Sequence, residues 1–131
     1  MSPKVQRIIG WVLSGLLAAF LIVASGVPKL IGGEFMEQMN AEFGFNSDTM
    51  KGIGVLEIVI AILFVLPRCG FIGAILITGY LGGAIVTHVR IGEAAVFPVV
   101  LGVLVWVGLA LRQPVIWRLA AGANTPPPSA A

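Results

Sequence analysis

Five side chains in this chain could do chemistry together: Lys29, Glu57, Tyr80, His88 and Arg90. A carboxylate and an imidazole can exchange protons, so Glu57 and His88 are the candidate catalytic pair. Lys29 and Arg90 could hold an anionic group, and Tyr80 could hydrogen-bond a ligand oxygen; these three are the candidate substrate-binding residues. Glu57 is the most informative. It interrupts the apolar stretch between Lys51 and Pro67, and a carboxylate near the centre of a membrane helix costs about 2.5–3.5 kcal/mol on insertion scales. It stands six residues after Lys51, which is about 9 Å along a helix. Tyr80 precedes His88 by eight residues, close to two turns, so both can share one helix face with Tyr80 about 12 Å deeper. Bland roles compete with these: Lys29 and Arg90 stand where snorkelling cations sit, and Glu57 could pair with one of them only to be tolerated.

Counting excludes several chemistries. Cys69 is the single cysteine, so the chain holds neither a dithiol relay nor an internal disulfide framework. One histidine cannot give bis-histidine haem ligation. His88 and Glu57 supply two ligands where a catalytic zinc wants three, so no metal site is expected. The glycines lie in apolar context rather than in a phosphate loop. Ser25, His88 and Glu57 are the right types for a triad, but nothing marks Ser25 as a nucleophile.

The elements that must position these residues follow from composition. Of 131 residues, 58% are hydrophobic and 11% charged, with a mean hydropathy of +1.02. A soluble domain carries about 25% charged residues, so a water-soluble fold is excluded, and so is disorder. The net charge is +2, and the eight basic residues are dispersed, which leaves no basic run for nucleic acid. The expected fold is an all-α membrane protein, an antiparallel bundle of four transmembrane helices in contact with the lipid bilayer. The spans are about 8–27, 49–66, 70–89 and 94–111, each near the roughly 20 apolar residues a bilayer core requires. The first is too long for a signal-peptide core, and Pro28 is expected to end it. Asp48 is the expected N-cap of the second. Pro98 falls in the first turns of the fourth, where a missing amide matters little.

Pro67-Arg68-Cys69 and Arg90–Glu93 make tight hairpins, which force antiparallel neighbours. The longer first connection holds Glu34–Phe45, read as a short amphipathic helix with Phe35, Met36, Met39 and Phe43 on its apolar side. Gly79 with Gly83, and Gly15 with Ala19, read as small faces that let helices approach. Residues 113–131 form a short interfacial segment, Val115–Ala121 anchored by Trp117 and Arg118, followed by a mobile proline-rich tail. Lys4, Arg7, Arg68, Arg112 and Arg118 outnumber Lys29, Lys51 and Arg90 by five to three. That excess puts both termini in the cytoplasm, in a bacterial inner membrane. The five candidate residues then line one polar cavity open to the outer side, with the amphipathic segment over its mouth.

Short motifs in a fixed order carry a resemblance. They are Ser25-Gly26-Val27-Pro28-Lys29-Leu30, Gly52-Ile53-Gly54-Val55-Leu56-Glu57, Leu66-Pro67-Arg68, Gly73-Ala74, Gly79-Tyr80-Leu81-Gly82-Gly83-Ala84 and His88-Val89-Arg90. From about Trp11 to Pro114 the chain resembles the DoxX-like family of small four-helix membrane proteins. The resemblance implies an association with redox membrane enzymes, since the family is named for a subunit linked to thiosulfate:quinone oxidoreduction. A quinone is the cofactor that this implies, and His88, Tyr80 and Lys29 could donate to its carbonyls. The lone cysteine puts a direct thiol mechanism in doubt.

Three functions fit these residues. The first is a redox-associated subunit or small enzyme that binds a quinone-like or other lipophilic small molecule. The second is a proton-coupled small-molecule transporter using Glu57. The third is a non-catalytic accessory subunit, with a protein partner or a second copy docked on its glycine-rich faces.

Overall fold

A computed structural model describes residues 1–123, and the proline-rich tail lies outside the described residues. Within them the chain is all-helical. Helix α1 spans Pro3–Ala19 and passes through a π segment, Phe20–Gly26, into α2, Val27–Ile31. Then come α3 (Glu34–Phe43), α4 (Ser47–Val65), α5 (Gly70–Arg90), α6 (Val96–Arg112) and α7 (Val115–Ala120).

Pro28 does not end the first helix, contrary to the sequence reading. The π turns ahead of it provide the reason. There amides reach back five residues, as Val27 N–H does to Ile22 O, and the wider turn makes room for a ring that an α-helix would drive into the carbonyl four residues back. The continuous helix Pro3–Ile31 has 29 residues, and α5 has 21; both are long and apolar enough to cross a membrane. Helix α6 is apolar but shorter, and α4 carries Asp48, Lys51 and Glu57. The N-cap of α4 is Asn46 rather than Asp48: its side chain accepts from Thr49 N–H at 2.8 Å. Asp48 instead lies in the first turn, where its charge complements the helix dipole.

Helix α1 packs on α6 and α4, α4 on α5, and α5 on α6. Leu17, Leu21, Ile60, Phe64, Ile77 and Leu109 form the centre of the core. A second small cluster of Met36, Phe43 and Met50 sits beneath α3. Around the outside, Val12, Leu16, Val23, Val59, Ile72, Val86 and Val103 are all exposed. In water such a girdle would be a liability; against lipid tails it needs no cover.

Two ends of the bundle differ. At one end Arg112 is buried, with no carboxylate paired to it among the described residues. Its guanidinium donates to Phe64 O at 2.9 Å and lies 4.2 Å over the Trp11 ring and 5.0 Å from the Phe64 ring. The sequence reading took Arg112 only as a topology marker. At the other end the bundle opens.

Candidate functional site

The open end is built from a close helix crossing. A Cβ added at Gly54 of α4 would lie 2.9 Å from both Gly26 O and Lys29 Cβ, and one added at Gly26 would lie 2.7 Å from Ile58 Cγ1. Only hydrogen at these positions lets α4 press against the chain at residues 26–29. That approach brings Lys29 Nζ to 2.8 Å from Glu57 Oε2. Glu57 is 1% exposed, so this is a buried ion pair. The π segment also matters here, because each extra residue in a turn rotates everything after it. Ser25 and Lys29 fall one turn apart, and Lys29 donates to Ser25 Oγ at 2.6 Å and to Ser25 O at 3.2 Å.

The pair forms part of the lining of a cavity of about 490 Å³. Its walls come from Phe20 and Leu21 of the π segment, Met39 and Phe43 of α3, Ile53 of α4 and Phe97 of α6. Tyr80 and His88 line the same space from α5, with the Tyr80 hydroxyl beside the Glu57 carboxylate. The His88 Nδ1 lies 2.7 Å from Ala84 O. A carbonyl can only accept, so Nδ1 carries the proton and Nε2 keeps its lone pair in the neutral ring. The His88 ring also packs against Phe43, with centroids 5.5 Å apart.

The structure thus brings Lys29, Glu57, Tyr80 and His88 to one cavity and leaves Arg90 out of its lining. Arg90 donates instead to the carbonyl of Phe43 and so ties the end of α3 to the end of α5. Helix α3 is slung between Gly33 (φ 109°) and Gly44 (φ 78°), backbone conformations that side chains disfavour. It covers the cavity with Met39 and Phe43, while Phe35, expected on its apolar side, is exposed. Among the described residues no three metal-binding side chains cluster.

Sequence reasoning missed the glycines of the cavity. A Cβ at Gly79, Gly83 or Gly15 would meet nothing within 4 Å. They do not bring helices together, as their spacing suggested; Gly79 and Gly83 line the cavity instead. The contact glycines are Gly10, Gly26, Gly54, Gly70, Gly73 and Gly108. Spacing alone could not separate the two sets, because both stand in the same apolar context.

A match to the DoxX-like family covers residues 12–108, from α1 into α6, and includes all five candidate residues. The chain belongs to the DoxX-like family. No curated protein and no solved structure matches it. Family, helical architecture and apolar girdle together make this DoxX-like chain a membrane protein.

Proposed function

We propose that this DoxX-like protein crosses the membrane four times as an antiparallel bundle and binds a lipophilic small molecule in the cavity at the Glu57 end. In this reading the described spans are α1–α2, α4, α5 and α6, the termini are cytoplasmic, the membrane is a bacterial inner membrane, and the cavity opens outward. One observation carries it: a buried Lys29–Glu57 pair at a mostly apolar cavity of about 490 Å³, a size that suits a small organic ligand. A purely structural charge would be sealed by packing, as Arg112 is at the other end. The role proposed is that of a redox-associated subunit or small enzyme for a quinone-like or other lipophilic molecule, with Glu57 and His88 as the groups able to exchange protons with it.

Proton-coupled transport is the weaker reading. Lys29 already pairs with Glu57 at 2.8 Å, so a translocated cation would have to displace it from the carboxylate.

Native mass spectrometry and solvent extraction of the gently purified protein test the proposal. Wild type is expected to retain a lipophile that Glu57→Gln loses. Bulk phospholipid alone in both would overturn it.

A further inference from the structure

We infer that the ligand of this cavity is a flat lipophile that donates a hydrogen bond, a phenol or similar ring alcohol, with its hydroxyl on Glu57 and its ring along α5 at Gly79 and Gly83. This rests on the reading that the cavity binds a lipophile, and it names the class of that molecule.

Donor counting gives the first half. An ammonium has three N–H donors and no acceptor. Those of Lys29 go to Ser25 Oγ, Ser25 O and Glu57 Oε2, so Lys29 has nothing left for an incoming oxygen. Glu57 is the reverse case. A carboxylate only accepts, at about four lone-pair sites; Lys29 donates to one oxygen, and with the Tyr80 hydroxyl beside it as a second donor, sites are still left over. An ether or ketone at Glu57, an oxidised quinone included, would set lone pairs against lone pairs, so among quinone-like molecules the reduced, hydroxyl-bearing form is the one that suits it. A hydroxyl instead donates to one of the sites on the carboxylate that Lys29 and Tyr80 leave open. The sequence expectation that Lys29 contacts the ligand gives way to a role in holding Glu57.

The shape of the cavity gives the second half. Gly79 and Gly83 are one turn apart on α5, about 6 Å along its axis. Glycine weakens a helix interior relative to alanine, and no neighbouring helix requires it at either position. What the two glycines leave is a strip of bare backbone in the cavity lining. A ring face can lie on such a strip, while a globular hydrocarbon of similar volume touches it at one point.

The test uses the full chain in lipid nanodiscs, with empty nanodiscs as the control for partitioning. Three probes are titrated: 2-naphthol, its donor-less ether 2-methoxynaphthalene, and the globular alcohol 1-adamantanol. Wild type is expected to bind 2-naphthol roughly tenfold or more tightly than either, the size of one hydrogen bond to a charged group. The double variant Gly79→Ala/Gly83→Ala is expected to be at least as stable as wild type and to lose about tenfold in 2-naphthol affinity as the strip is covered. Equal binding of the ether or of 1-adamantanol overturns the inference, as does an unchanged double variant. If a probe binds wild type and Glu57→Gln loses it without these preferences, the ligand class named here falls and the cavity reading stands. If no probe binds, both fall.

Discussion

Near the start of α5, a Cβ added at Gly73 would sit 2.5 Å from the backbone of Phe64 in α4, while further along one added at Gly79 or Gly83 would meet nothing within 4 Å. The same residue type closes one end of the bundle and hollows the other. The buried charges follow the same division. Arg112, at the closed end, is enclosed by Trp11, Phe64 and a helix-terminal carbonyl. Glu57, at the open end, is held by Lys29 on one oxygen and otherwise borders a cavity. A buried charge is therefore not by itself a sign of a site. What separates the two is whether the space around the charge is filled.

Lys29→Met should have the largest effect. It leaves a buried carboxylate without its partner, and such losses run to about 3–5 kcal/mol. The double variant Lys29→Met/Glu57→Met should recover most of that in the same unfolding measurement; equal losses for single and double variants would mean the open end is not organised around the pair. Next comes Gly73→Ala, with a loss of about 3 kcal/mol, because the obstacle is backbone and the helices must part. Arg112→Ala should lose about 2 kcal/mol, through the charge-assisted bond to Phe64 O and the ring contacts, offset by relief of desolvation. The smallest effect has the opposite sign. Gly79→Ala should gain about 0.5–1 kcal/mol from helix propensity alone, visible as a higher Tm. Opposite signs for Gly73→Ala and Gly79→Ala, on one helix, would sharpen the comparison most; a shared sign would break it.

Much of this was legible in the sequence. The apolar runs imposed helices, and the distances of Glu57 from Lys51 and of Tyr80 from His88 put polar groups at compatible depths. The amphipathic pattern of Glu34–Phe45 placed a helix over the opening. The path of the chain at Pro28 was not legible, since a proline normally breaks an α-helix and a π turn leaves no local signal. Nor were the jobs of individual glycines, which depend on what lies across from them. Arg90 was grouped with the cavity because it neighbours His88, yet two residues along a helix is a turn of about 200°, which faces it elsewhere. Arg112 looked like an ordinary cation at a helix end; its burial depends on α1 and α4 meeting above it.

The most direct test of the division between a binding end and a closed end compares Glu57→Gln with Arg112→Gln. Each is measured for Tm and for lipophile retained per folded molecule. The expected result is that Glu57→Gln loses the lipophile while still folding, whereas Arg112→Gln loses stability and its folded fraction keeps the lipophile. A Glu57→Gln protein that retains the lipophile at the wild-type level would contradict the assignment of the cavity as the binding site.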